Sequence, residues 1–238
     1  MKPQIVTDLA GFHQKRIEQD WKGDEYHDRK TVMFVPTLGT IHAKVVQSWM
    51  NLIPPMNSRL ARVFLIGMEV GKAYEQMVDV MRSNPELAKW PYVLTLEDDN
   101  TVPPDGLIKL YEDMEAHPEY DAIGALYYCK GEGGAPMAYG RPQDMPKNFV
   151  PWLPPPNSVS EVNGLGMGFT LFRTKMLMDE RFARPMFQTI QEYVPGTGVR
   201  MGTQDLVFFE NAAKFGYRYA CSTRVVVGHL DRETGEVW

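Results

Sequence analysis

The chain has 238 residues, of which 44% are hydrophobic and 23% charged, and its formal net charge is −5. This length and composition predict one globular domain with at most a small appendage. The mild negative charge gives no electrostatic support for tight, salt-dependent binding along a nucleic-acid backbone. No apolar segment approaches the ~18 residues of a membrane span, and the N-terminal segment lacks the apolar centre of a secretory signal. We therefore expect no integral membrane contact and a cytoplasmic location.

The first half of the chain alternates strand-like and helix-like patterns. Residues 1–30 are polar and without a clear period, which indicates an arm or an edge helix. Strand-like runs follow at 31–40, 62–68 and 92–96, each succeeded by apolar residues at helical spacing. Three strands that alternate with helices predict a parallel sheet of βαβ units. A fourth strand is predicted at 121–129.

The second half is less regular. Residues 130–160 are rich in glycine and proline and show no period, which is more typical of a functional loop than of a linker. After a regular stretch at 168–177 and a second irregular one at 182–202, a helix is predicted with Thr203 as its N-cap. Strand-like runs close the chain. Cys129 and Cys221 each lie in an apolar stretch, so we predict core thiols and no disulfide framework.

Three consecutive carboxylates, Glu97, Asp98 and Asp99, directly follow the predicted strand 92–96. Ligands of open α/β sheets bind at the carboxyl ends of strands. Clustered acids repel one another unless a cation compensates them, and oxygen ligands suit Mg²⁺ or Mn²⁺. A polar turn that caps the next helix is the alternative, but Asp105 is better placed for that cap.

This segment resembles the D-x-D region of GT-A glycosyltransferases, particularly family 2-like enzymes: a hydrophobic strand, an acidic triplet, then Pro-Pro before a helix. The resemblance implies that Asp99 binds the metal and that Glu97 and Asp98 lie near the nucleotide or the metal's water ligands. Glu97 stands where the family has Asp. Pro36 and Thr37 follow the first strand, where GT-A enzymes hold the base and ribose.

Two further segments resemble the same family in the same order. EVNGLGMGFTLFRTKML is similar to the glycine-rich segment beside the donor sugar, which implies that Gly166 and Gly168 let the backbone approach the donor.

GTQDLVFFENAAKFGYRYACSTRVVVGHLD resembles the family's E-D-L-x-F helix, the Gly-Tyr strand and the late histidine. Asp205 would be the general base, kept ionised because the helix dipole lowers its pKa. His229 would complete the metal coordination, and Gln204 replaces the family's usual Glu.

From the residues and the resemblance together, we expect a single GT-A-like α/β domain over 31–231 with a central mixed, mostly parallel sheet. Its halves would be 31–130 for the nucleotide and 131–231 for the acceptor and metal. Residues 1–30 would form an arm and 232–238 a C-terminal tail.

The expected activity is transfer of a sugar from a UDP-sugar to an acceptor hydroxyl with inversion, assisted by Mn²⁺ or Mg²⁺. Trp152, Tyr139 and Tyr193 lie in the irregular loops and are the candidate acceptor-binding residues, because aromatic rings stack on sugar faces or bases. A glycan, a protein, a small molecule or a modified nucleic-acid base all fit as the acceptor. Two alternatives stay open: a sugar-1-phosphate nucleotidyltransferase and a non-catalytic carbohydrate-binding domain of the same fold.

Overall fold

A computed structural model describes residues 4–7, 28–56, 58–194 and 198–238 of the chain. The strands are β1 Gln4–Thr7, β2 Thr31–Thr37, β3 Leu60–Ile66, β4 Tyr92–Leu96, β5 Asn100–Thr101, β6 Ala122–Leu126, β7 Ala138–Tyr139, β8 Val159–Glu161, β9 Gly164–Leu165, β10 Phe169–Arg173, β11 Ile190–Val194, β12 Gly198–Gly202, β13 Tyr219–Val226 and β14 Gly228–His229. The helices are α1 Ala43–Met50, α2 Val70–Ser83, α3 Gly106–Ala116, α4 Thr174–Leu177 and α5 Gln204–Lys214, with a 3₁₀ turn at Leu87–Lys89.

Among the described residues, eight strands form one mixed sheet in the order β1-β3-β2-β4-β10-β6-β13-β8. β2 is parallel to β3 and to β4, and β6 is parallel to β13. β10 runs antiparallel to both β4 and β6, whereas β1 and β8 are antiparallel strands at the two edges. Five strands therefore point the same way, which confirms the predicted mixed and mostly parallel sheet.

The sheet is buried on both faces because side chains alternate along each strand. In β2, Val32 and Phe34 join one hydrophobic cluster, and Met33 and Val35 join the other on the opposite face. α2 and α5 cover the first face. α3 covers the second, and the predicted stripe Leu107, Leu110, Tyr111 and Met114 is buried there.

Several local predictions were wrong in detail. Gln4–Thr7 forms an edge strand paired with β3, where an arm or helix was expected; residues 8–27 lie outside the described residues. The strand predicted at 121–129 ends at Leu126, because the chain then turns into a glycine-rich hairpin. Cys221 is buried in the core as predicted, but Cys129 beyond the strand end is only half-buried.

The segment expected to be a C-terminal tail folds back as a hairpin. His229 and Trp238 exchange two backbone hydrogen bonds of 2.9 and 3.1 Å, and the Asp231 amide donates to the Glu236 carbonyl at 2.8 Å. This hairpin follows β14, which pairs with β5 directly after the acidic triplet. Residues 232–238 are thereby brought to the carboxyl end of β4.

Candidate active site

The carboxyl ends of β2 and β4 open onto a cleft of about 380 Å³. Parallel strands end at the same edge of a sheet, so the residue after each strand reaches the same space. The described residues that line the cleft include Pro36 and Thr37 from β2, Glu97, Asp98 and Asp99 after β4, and Gln204 and Arg232 from later segments. The sheet thus joins residues that lie far apart in the sequence.

Asp99 is the carboxylate around which the other polar groups converge. Its Oδ2 lies 2.5 Å from Lys130 Nζ and 3.5 Å from His229 Nε2. Burial alone would raise the pKa of Asp99, but the hydrogen bonds from His229 and Lys130 outweigh it and lower that pKa to about 2. Asp99 is therefore a carboxylate at any physiological pH.

The orientation of His229 follows from its other ring nitrogen. Nδ1 lies 2.8 Å from the carbonyl oxygen of Tyr128, and because a carbonyl only accepts, Nδ1 carries the proton. Nε2 is then the nitrogen that faces Asp99: it donates to the carboxylate when the ring is protonated, and it offers a lone pair to a cation when the ring is neutral. An imidazole that donates one N–H to a carbonyl and presents the other nitrogen is the usual arrangement of a metal-binding histidine.

Asp98 is buried, with 8% of its surface exposed. Its Oδ1 accepts a hydrogen bond from the guanidinium of Arg232 in the C-terminal hairpin. Its Oδ2 is buried and finds no hydrogen-bond partner among the described residues. An orphaned carboxylate oxygen is costly to bury, so its position favours a ligand or a cation nearby.

Glu97 is hydrogen-bonded to a side chain of α2. Tyr74, which is fully buried, donates its hydroxyl to Glu97 Oε1 at 2.8 Å. Burial and the neighbouring charge of Asp99 raise the pKa of Glu97 to about 7, against the opposing effect of the Tyr74 hydrogen bond. Glu97 is consequently the member of the triplet that is poised to exchange a proton near neutral pH.

Asp205 lies in the first turn of α5, as predicted, but its electrostatics differ from the prediction. Its Oδ1 accepts the Leu206 N–H at 2.9 Å, and only 5% of the residue is exposed. Burial raises the pKa of Asp205, even though hydrogen bonds from Thr203 and Leu206 oppose the rise. The expected lowering by the helix dipole was wrong because desolvation outweighs it. Among the described residues the cleft wall includes the neighbouring Gln204 and not Asp205.

Gly166 and Gly168 are buried beside protein atoms and do not belong to the described cleft wall. A Cβ on Gly166 would lie 2.1 Å from the Tyr127 hydroxyl, and one on Gly168 would lie 2.5 Å from Asn100 Oδ1. The Tyr127 hydroxyl also accepts the Gly168 N–H at 3.0 Å. Close packing against Tyr127 and Asn100 explains both glycines, while their donor-binding role stays a prediction.

The three candidate acceptor residues are not brought together by one element. Tyr139, on β7, donates its hydroxyl to Met137 Sδ at 3.0 Å. Burial is the larger cause that raises the pKa of Tyr139, and the negative charge of Asp205 is the second. Trp152 runs alongside β7, donates its backbone N–H to Ala138 and packs against the core. Tyr193 lies on the separate β11–β12 hairpin with 71% of its surface exposed.

Sequence reasoning missed Lys130, Arg232 and Tyr74, which are the direct partners of the acidic triplet. Lys130 and Arg232 lie in hairpins that the sequence marks by glycines at 131, 133 and 134 and by the Thr234-Gly235 pair. Such turn signals predict a hairpin but not what it packs against. No group of three or more His, Cys, Asp or Glu side chains that could hold a metal occurs among the described residues. The candidate set supplied by the protein is the pair Asp99 and His229.

Comparison with known proteins identifies solved structures that share this fold. No protein-family model matches the chain, and no curated protein does. Among solved structures, A197 from STIV matches with a TM-score of 0.58 at 18% identity, over 87% of this chain and 92% of A197. The structure of GalNAc-T7 with UDP, GalNAc and Mn²⁺ matches with a TM-score of 0.56 at 11% identity, over 85% of this chain and 44% of that one.

These similarities, together with the mixed sheet and its strand order, show that the chain has a GT-A-like α/β fold. The chain spans less than half the length of GalNAc-T7. None of the described helices is long and apolar enough to span a membrane.

Proposed function

We propose that the protein is a glycosyltransferase that moves a sugar from a UDP-sugar to an acceptor hydroxyl with the help of Mn²⁺ or Mg²⁺. The observation that carries the proposal is the Asp99–His229 pair at the carboxyl end of β4, with Nε2 of His229 directed at the carboxylate. GalNAc-T7, which shares the fold, binds UDP and Mn²⁺.

The residues fit a hard or borderline divalent cation. One carboxylate and one imidazole are oxygen and nitrogen ligands that suit Mn²⁺, and the buried, unpartnered Asp98 Oδ2 supplies further negative potential. Two protein ligands leave coordination positions for phosphate oxygens and water, as in sites that bind nucleotides through metal. When bound, the cation would stabilise the negative charge of the departing nucleotide diphosphate.

The cleft offers separate surfaces for the parts of a nucleotide. Pro36 and Thr37 form an apolar and hydroxyl-bearing floor at the end of β2, which suits the base and the ribose. Arg232 lines the same cleft with 38% of its side chain exposed and carries a guanidinium that can pair with a phosphate. We assign Arg232 to the diphosphate on this ground.

Asp205 is the base in this proposal: its carboxylate would accept the proton of the acceptor hydroxyl as that oxygen attacks the anomeric carbon. Its raised pKa makes it a stronger base than an exposed aspartate, provided that it is ionised at the working pH. The Leu206 N–H donates to Oδ1 and fixes the orientation of the carboxylate. A single displacement of this kind inverts the anomeric configuration.

Calorimetry with UDP tests the donor site. Wild-type protein should bind UDP in Mn²⁺ and lose most of that affinity in EDTA, and UDP at 100 times its Kd should stabilise the fold by about 2.7 kcal/mol. For a domain of this size that corresponds to a rise in Tm of roughly 5–10 °C. Asp99→Asn should abolish the Mn²⁺ dependence.

Glu119→Gln is a matched control, because Glu119 precedes β6 and so lies at the amino-terminal ends of the parallel strands, away from the cleft at their carboxyl ends. UDP affinity that is unchanged by both EDTA and Asp99→Asn would refute the site. Release of UDP from a UDP-sugar by the wild type would separate an enzyme from a non-catalytic binding domain, and release of pyrophosphate from a nucleoside triphosphate and a sugar-1-phosphate would indicate a nucleotidyltransferase instead.

A further inference from the structure

Lys130 lies at the start of a tight hairpin that follows β6. Cys129 donates its backbone N–H to Ala135 at 2.8 Å, and Gly134 donates to Gly131 at 3.0 Å. Gly131 has a φ of 102°, a conformation that glycine adopts without strain. The hairpin holds the backbone of Lys130 beside the cleft, so that only its side chain needs to move for its ammonium to change partners.

That ammonium occupies the oxygen on which the proposed metal site depends. Lys130 Nζ lies 2.5 Å from Asp99 Oδ2, the same oxygen that faces His229 Nε2 at 3.5 Å. A divalent cation bound to this oxygen and an ammonium in hydrogen-bond contact with it would repel each other strongly at such separations. Metal binding at Oδ2, the oxygen that His229 also faces, therefore requires Lys130 to leave.

The surroundings allow that departure. The Lys130 side chain is 33% exposed, whereas the Asp99 side chain is 16% exposed, so the lysine approaches the carboxylate from the solvent side. Lysine has a flexible four-carbon stem and a compact charge that can exchange anionic partners without repacking a core. A displaced Lys130 would need another anion close to the cleft, and a nucleotide brings two phosphates to it.

We propose that Lys130 is a tethered cation of the donor site: it neutralises Asp99 in the nucleotide-free protein and transfers to the donor diphosphate when a metal ion takes Asp99. The proposal rests on the proposed function and deepens it. It implies that metal alone binds weakly, because it must displace Lys130 without compensation. Metal and nucleotide together bind cooperatively, because the nucleotide accepts the displaced charge.

The exchange predicts effects of opposite sign for Lys130→Met in two titrations. Without nucleotide, Mn²⁺ affinity measured from the EPR signal of the free ion should rise about threefold to tenfold, the size expected for a partly exposed ion pair. At saturating Mn²⁺, UDP affinity measured by calorimetry should fall by a similar factor. Neither readout needs the donor sugar or the acceptor.

Lys72→Met is the matched control. Lys72 is exposed in the first turn of α2, next to the cleft residue Glu69, whose Oε2 accepts the Lys72 backbone N–H at 3.0 Å. Its removal subtracts the same charge near the cleft and should change both affinities less than twofold. The Tm of each metal-free variant checks that the fold is retained.

The outcomes distinguish failure of the Lys130 exchange from failure of the proposed function. If the wild type binds UDP with Mn²⁺ and Lys130→Met does so equally well, or binds both ligands more tightly, the exchange is refuted and the proposed function stands. An Mn²⁺ affinity that does not rise in Lys130→Met refutes it as well. If neither the wild type nor the variants bind UDP with Mn²⁺, the proposed function fails and the exchange fails with it.

Discussion

Replacing Asp205 by Asn should move activity and stability in opposite directions. Asn keeps the oxygen that accepts the Leu206 N–H at 2.9 Å, so the first turn of α5 retains its geometry. It cannot accept a proton from the acceptor. General-base catalysis typically contributes ~10²–10⁴-fold, so kcat should fall by that factor, which corresponds to about 2.7–5.5 kcal/mol in the barrier.

The stability effect follows from the raised pKa of Asp205. At acid pH the carboxyl is protonated in the folded and the unfolded protein, and Asn and Asp should be equally stable. As pH rises through the raised folded-state pKa, the wild type must bury a charge that the unfolded chain exposes, and it loses stability. Asp205→Asn should therefore have the higher Tm at pH 8, and this advantage should vanish near pH 4.

Two measurements decide the matter: UDP release from a UDP-sugar that the wild type hydrolyses, and thermal unfolding at pH 4 and pH 8. Asp113→Asn is the control, because Asp113 is an equally buried carboxylate outside the cleft, where it accepts the Ser222 hydroxyl at 2.7 Å and pairs with Arg224. It should lower Tm and leave kcat unchanged. An Asp205→Asn variant that keeps most of its activity, or that loses stability and activity together, would contradict the assignment of the base.

Three further substitutions test the surroundings of the cleft. His229→Ala should weaken Mn²⁺ binding roughly tenfold or more while the Tm of the metal-free protein changes little. His117→Ala is the control and should leave Mn²⁺ binding unaltered. Unchanged Mn²⁺ affinity with a large loss of Tm in His229→Ala would mean that His229 has a structural role. Tyr74→Phe should lower the free energy of urea unfolding by about 1–2 kcal/mol, because it deletes the 2.8 Å hydrogen bond that the buried Tyr74 hydroxyl donates to Glu97. No change would mean that the bond is not formed in solution. Gly168→Ala should cost about 1–3 kcal/mol, since its Cβ would lie 2.5 Å from Asn100 Oδ1, and a neutral effect would show that Asn100 can move aside.

The parts of this structure that the sequence predicts are those governed by period and strand direction. The alternation of β2, β3 and β4 with helices indicates parallel strands, and parallel strands bring the residues after them to one edge. That rule suffices to place the acidic triplet beside Pro36 and Thr37. Only the resemblance predicted that His229 lies next to the triplet. Gly228 of β14 and Asn100 of β5 are 128 positions apart, and a strand of two residues is too short to show a periodic pattern.

The parts that the sequence does not predict depend on where irregular segments land. Lys130 and Arg232 lie in short hairpins, and nothing in their composition says that the two cations meet Asp99 and Asp98. The pKa of Asp205 was mispredicted for a related reason: the helix dipole can be read from the helix position, but burial depends on everything packed around the side chain.

The charges around the triplet change the reason for proposing a metal. The sequence alone indicates that three adjacent acids need an external cation. In the structure, however, Arg232 pairs with Asp98, Lys130 pairs with Asp99, and the pKa of Glu97 is raised to about 7. The protein's own groups thus compensate most of the repulsion, and repulsion alone no longer argues for Mn²⁺. The orientation of His229 still argues for a metal, because its Nε2 faces Asp99 although Lys130 already neutralises that carboxylate. If Lys130 exchanges partners as proposed, its charge serves both states of the cleft, first Asp99 and then the phosphates, and Asp99 is paired with a cation in either state.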